Sequence, residues 1–354
     1  MATVVADGVA ELSSSARRYA PSWFNVLIER IDRLPGPEWA FYGALLVLSA
    51  VTMNAQAWLS GLTQLGALSP ALTYYGIFPV AMLWLIHYFH RVAGDAFETF
   101  RPALVGSDAE AERWCFELTV SPARPAVAFS VLFLVGSVLG YIADPTTFAV
   151  SGLSSTTAAV WFPLQSATGV LLVMLLYQAL HQLRAVSRVH LQASHVDLFE
   201  PAPLYSFSVL TSRTGIALIL IVSSWAVFFP ERFVGAGAPI VLFAAGMLAV
   251  AVAAFVLPLQ GMHERIVAEK RRLQGEVGRR LTAAVAALHG SVDGGDLSQA
   301  DALNKTLSSL IAERELLAKL PTWPWQAGTV GGFVGAILLP IGLWLVTRLL
   351  EKVV

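Results

Sequence analysis

Long runs without a charged residue alternate along this chain with segments whose charges fall at helical spacing. Glu38 to Arg91 contains no internal Asp, Glu, Lys or Arg and has room for two membrane crossings. Arg124–Asp144, Asp144–Arg184, Arg213–Glu231, Arg232–Glu264 and Lys319–Arg348 bound one further charge-free run each. A charged side chain at the bilayer centre costs roughly 2.5–3.5 kcal/mol on insertion scales, so such runs mark the segments that enter lipid. The pattern predicts seven transmembrane helices near Trp39–Leu59, Ala71–His90, Ala126–Ala143, Ala158–Leu180, Thr214–Phe229, Pro239–Leu259 and Ala327–Leu350. The runs are continuous rather than alternating, which excludes a β-barrel and leaves an all-α, polytopic helical membrane protein.

The intervening segments carry patterns of their own. Residues 1–38 contain an amphipathic stretch, Ser22–Leu34, with Trp23, Phe24, Leu27 and Ile31 on one face. It reads either as a helix lying in the membrane interface or as one packed on neighbouring segments. Ser107 and Glu110 form a capping-box pattern within the loop 91–125. The fourth helix is expected to run on past the membrane into 181–213, with Leu204–Arg213 forming an interfacial turn. Residues 261–326 show two apolar stripes, Met262 to Leu288 and Leu303 to Leu320, separated by Asp293-Gly294-Gly295-Asp296. These predict an antiparallel helical hairpin between helices six and seven, with Ser298 and Asp301 at the cap of its second arm. The domain plan is therefore 1–38, a six-helix region 39–260, the hairpin 261–326 and a seventh helix with a short tail, 327–354.

Composition agrees with this plan. Of 354 residues, 56% are hydrophobic and 13% charged, against roughly 25% charged in an ordinary soluble domain. A soluble enzyme, a disordered chain and a nucleic-acid binder are all disfavoured, the last also by the net charge of −1. Of the 23 Lys and Arg, all but Arg232, Arg348 and Lys352 fall on one side of a seven-helix topology. The positive-inside rule then predicts a multi-pass protein of the cell membrane, with a cytoplasmic N-terminus, a cytoplasmic hairpin and an extracytoplasmic C-terminus. No cleavable signal sequence is expected, since residues 1–22 lack an apolar core. The single Cys115 excludes an internal disulfide.

Candidate chemistry is sparse. No catalytic motif is present, no cofactor is implied, and no ionisable residue lies deep within a predicted crossing, where coupled pumps place their relays. One polar constellation stands out. Asn54, Gln56, Ser137, Gln165, Ser166, Ser223 and Ser224 lie at similar outer depth on four predicted helices. They read as an outward polar vestibule or as hydrogen bonds between helices. Gly328, Gly331, Gly332 and Gly335 give two overlapping GxxxG spacings, a pattern for close helix packing within the chain or between copies. His87, His90 and His181 fall at one depth near the inner ends of helices two and four. They read as a zinc-type ligand set or as interfacial histidines with ordinary hydrogen bonds. Two functions follow. One is a homo-oligomeric channel or passive path whose vestibule is coupled to the hairpin through helices six and seven. The other is a non-transporting sensor or scaffold whose hairpin docks a cytoplasmic protein. The lipid bilayer is the one partner both readings share.

Overall fold

The computed structural model describes residues 18–104, 106–143, 155–192, 196–228, 238–295, 298–326, 328–339 and 342. Among these, every element is helical, apart from one isolated bridge pairing Pro21 with Pro122. In chain order the α-helices are α1 (Trp23–Asp32), α2 (Glu38–Leu59), α3 (Pro70–Phe100), α4 (Asp108–Thr119), α5 (Ala123–Ala143) and α6 (Ser155–Gln192). Then come α7 (Pro201–Phe228), α8 (Ala238–Val256), α9 (Gln260–Asp293), α10 (Ala300–Lys319) and a shorter apolar helix α11 (Gly328–Leu339). Six helical stretches among the described residues are long and apolar enough to cross a membrane: those in α2, α3, α5, α6 and α7, and the α8–α9 run. The chain is thus a helical, membrane-embedded protein. The described part of the expected seventh crossing is the 12-residue α11, and the rest of that span, with Pro340, lies outside the described residues.

Helix α3 is the axis of the bundle. It packs against α2, α4, α6 and α7. Phe78, Met82, Ile86, Phe89, Phe97 and Phe100 run along it into one core with Met174 and Val186 of α6 and Phe207 and Leu210 of α7. Burial separates centre from periphery: 67% of the apolar window of α7 is buried, but only 17% of that of α5. Val131, Leu132, Val135 and Leu139 of α5 are exposed, a row of apolar side chains suited to a membrane-embedded helix. Where α2 meets α3 the backbones touch. A Cβ on Gly76 would lie 2.7 Å from the Ala50 Cα, so glycine is required there.

Several expectations are revised. Leu204–Arg213 is helix, not a turn. Pro201 starts α7, where proline's missing N–H costs nothing. The following hydroxyls satisfy themselves, as Ser206 donates to the Pro203 carbonyl, Thr211 to Ser208 and Thr214 to Leu210. Polar residues paired in this way need no water, so the helix continues through them. The stretch at Ser22 packs on the protein rather than lying free: Phe24, Ile28 and Ile31 are buried, and Asn25 donates to the Thr119 carbonyl. Helix α10 begins after Gln299, whose side chain makes no cap bond. The capping box of α4 is present with both of its hydrogen bonds.

The contact at Gly76 gives a stability test. Gly76→Ala places a methyl against backbone that cannot rotate away, and costs about 1–3 kcal/mol by overpacking. Gly332→Ala meets nothing within 4 Å and leaves stability within about 0.5 kcal/mol. Thermal unfolding of the two purified variants in detergent checks the difference.

Candidate functional site

Two polar assemblies hold the helix ends on one side of the bundle. In the first, His87 is fully buried with Nε2 2.9 Å from the Asp32 carboxylate, while Nδ1 lies 3.1 Å from the Tyr42 hydroxyl. Glu38 pairs with Arg91 beside it. Burial pushes the Asp32 carboxyl up, but the His87 hydrogen bond and neighbouring positive charge outweigh it and leave the group below its ordinary value. In the second, the nearly buried Glu117 of α4 binds both Arg18 and Arg188, the latter at 3.1 Å. His181 Nε2 donates to the Glu117 carbonyl at 2.8 Å, and the Tyr19 hydroxyl donates to that of Val120. Burial, with Glu117 close by, pushes the Tyr19 hydroxyl above the ordinary phenol value.

These contacts assign the three histidines. His90 donates through Nδ1 to the Thr119 carbonyl at 3.0 Å, so His87, His90 and His181 each serve a different partner. Among the described residues no three His, Cys, Asp or Glu side chains are grouped to hold a metal.

Between α3, α5, α6, α7 and α8 lies a cavity of about 410 Å³. Its wall is largely apolar, with Phe78, Phe133 and Leu218 prominent, and Met247 comes from α8. Ser137, Gln165 and Ser166 supply polar groups to it. Gln165 Oε1 and Ser166 Oγ are buried without a hydrogen-bond partner among the described residues. A buried unpaired oxygen costs about 1–3 kcal/mol, so an occupant that donates a hydrogen bond to either atom would be favoured. Such a site suits a small, mainly apolar molecule carrying a hydroxyl or an amide N–H.

The other vestibule residues have different work. Asn54 is fully buried: its amide donates to the Ala50 carbonyl and Thr73 hydroxyl, and its oxygen accepts from the Ser69 N–H at 2.9 Å. It therefore fastens the α2–α3 connection, where Ser69 also caps α3. Ser223 donates back to the Ile219 carbonyl, and Ser224 to Ile221 while contacting the Tyr74 hydroxyl at 3.0 Å. Gln56 stays on α2, its Nε2 buried and without a partner among the described residues. The seven thus divide: Ser137, Gln165 and Ser166 meet at the cavity, whereas Asn54, Gln56, Ser223 and Ser224 do not line it. Among the described residues, a Cβ at Gly328, Gly331, Gly332 or Gly335 of α11 would have no neighbour within 4 Å.

Comparison with known proteins adds no assignment: a scan of family models, a search of curated proteins and a search of solved structures each found no match.

Sequence reasoning missed Gln178 and Gln182, both buried on α6. Their amides donate to the Ile86 and Phe89 carbonyls of α3 at 3.0 and 3.2 Å. Their i, i+4 spacing in an apolar run was the available signal. His190 was missed too. It is buried between Phe100 and Phe207 and donates to the Pro258 carbonyl, where the short 3-10 turn Leu257–Leu259 separates α8 from α9.

The division between fastening and available polar groups is measurable. Asn54→Leu removes three hydrogen bonds and lowers stability by about 1–3 kcal/mol. Ser166→Ala deletes an unpaired oxygen and leaves stability unchanged or raised by up to about 1 kcal/mol. Denaturant titration of both proteins in the same detergent reads the two signs.

Proposed function

We propose that this membrane protein is a sensor that binds a small, mostly apolar ligand in the α3–α8 cavity and docks a cytoplasmic protein through α9 and α10. The observation that carries this reading is the continuity between the two places. Met247 lines the cavity on α8, and α8 passes into α9 with only the turn Leu257–Leu259 between them. At 1.5 Å per residue, Val285 lies roughly 57 Å of helix from Met247. A shift of α8 on ligand binding would therefore move the far end of α9.

Helices α9 and α10 lie side by side and are tied at the bundle end. His263 donates to the Thr322 carbonyl, and Lys270 donates to those of Ala318 and Leu320. Met262, Ile266 and Val277 are buried. Beyond Val277 no described residue of α9 is buried, and Val285, Val292, Ile311 and Leu316 stand exposed on the pair. Exposed apolar side chains on a highly charged helix pair suit a protein partner better than open water. The concentration of Lys and Arg in the segments before α2, after α3 and beyond α8 supports a cytoplasmic position for this arm. The open glycine face of α11 supports contact between copies, and hence a homo-oligomer.

The channel reading retains one specific support, the unpaired Gln165 and Ser166 oxygens in a common cavity. It ranks second because the cavity wall is mainly apolar and Asn54, Ser223 and Ser224 are occupied with hydrogen bonds inside the chain.

Two measurements separate the readings. Replacing 261–326 by a short linker abolishes co-purification of the partner in the sensor reading, and an unchanged partner set rejects it. In liposomes the purified protein gives no ion flux above protein-free vesicles, whereas flux that Gln165→Leu abolishes would reverse the ranking. Sidedness is read separately by maleimide labelling of an introduced Asp293→Cys, which reacts from the cytoplasmic face. Burial pushes the native Cys115 thiol up to about 12, so Cys115 stays silent in the folded protein at pH 7.5 and reacts only after denaturation.

A further inference from the structure

A second cleft of about 410 Å³ adjoins the cavity, between α3 and α7, and it is built differently. Its floor and walls are apolar, with Ile77, Ala81, Leu85 and Leu220 among them. Trp84 and Leu220 are 41% and 44% exposed, so the cleft opens outward from the bundle. It carries one formal charge, that of Arg213. The Arg213 guanidinium sits 5.5 Å from the centre of the Tyr88 ring, and Tyr88 in turn stacks on Trp84 at 5.2 Å. Contact with a ring face uses none of the five guanidinium N–H donors. Arg213 is exposed, and among the described residues it makes no ion pair.

The charged groups of α3 nearest the cleft are already partnered. His87, next to Tyr88, faces Asp32, and Arg91, one turn further along α3, is paired with Glu38. These groups mark the end of α3 at which the protein turns from apolar to charged. The cleft runs from there toward the start of α3, from Tyr88 to Tyr74, about 21 Å of helix. An unpaired, aromatic-braced cation at the charged end of an outward-facing apolar groove is complementary to one kind of molecule. That molecule has an anionic head and a long apolar chain.

We propose that the α3–α7 cleft is a binding site for an anionic phospholipid, with the phosphate on Arg213 and one acyl chain along Leu85, Ala81 and Leu220. Neutral lipid fills the same groove without the phosphate-centred preference, because a zwitterionic headgroup carries its own compensating cation. The basic side chain near a headgroup sets a preference of about fivefold for the anionic lipid.

The test is native mass spectrometry of the delipidated full-length protein in detergent. It is titrated with phosphatidylglycerol or phosphatidylcholine bearing identical acyl chains. The wild type is expected to bind phosphatidylglycerol about fivefold more tightly. Arg213→Gln is expected to remove that preference while leaving phosphatidylcholine binding in place. Ala81→Phe, which fills the groove, weakens both lipids together. Equal affinity of the wild type for the two lipids overturns the proposal without recourse to any variant. So does a preference that survives Arg213→Gln in protein with an unchanged melting temperature. Displacement of phosphatidylglycerol by inorganic phosphate at equal concentration would show a free-anion site and reject a lipid one. An oligomer that persists after delipidation and is lost in Ala81→Phe would show that a second copy covers the groove, and would also reject it.

Discussion

A polar group surrounded by hydrocarbon must find its partner within the protein, and this constraint explains most of the architecture. Helix α3 is where it is met. Gln178 and Gln182 bolt α6 to α3 through two of its carbonyls, His90 ties α3 to the end of α4, and His87 binds the end of α1 to α3. The serine-rich start of α7 obeys the same rule locally, each hydroxyl returning its proton to the preceding turn. These bonds fasten the helices to one another, although the Oε1 atoms of Gln178 and Gln182 stay buried without a hydrogen-bond partner among the described residues. The closest approach falls at Gly76, where two backbones meet.

Against that background the exceptions are informative. Gln165 and Ser166 leave oxygens unpaired at a common cavity, and Arg213, on an outward-opening groove, makes no ion pair among the described residues. These are two sites of different kind. One is lined by five helices and offers hydrogen bonds. The other opens outward between α3 and α7 and offers charge. Both border α3 and α7 through Tyr74, Phe78 and Ile221, so an occupant of one shares walls with an occupant of the other. The α8–α9 run then leads from the first site to the exposed helix pair.

Part of this was legible in the letters. The charge-free runs locate the apolar parts of six helices, although α7 starts at Pro201 rather than Thr214, and the Ser107–Glu110 box fixes the start of α4. The vestibule was legible only as a depth. Position along a charge-free run says how far a side chain sits from the helix end, not which way it points or what lies opposite. Asn54 and Gln165 look alike in that respect, yet one fastens a loop and the other faces a cavity. The Leu204–Arg213 error has the same root, because polar letters suggested water where the helix's own carbonyls were the acceptors.

The sequence by itself therefore determined the helical class, the apolar spans and the charged segments between them, because the cost of burying an ionic group is a property of each residue alone. Only the tertiary structure decided which polar side chains are fastenings and which remain available, and that Arg213 braces on the Tyr88 ring. Hydrogen bonds and ion pairs form between residues as distant as Glu117 and Arg188, and their geometry exists only once the helices have packed.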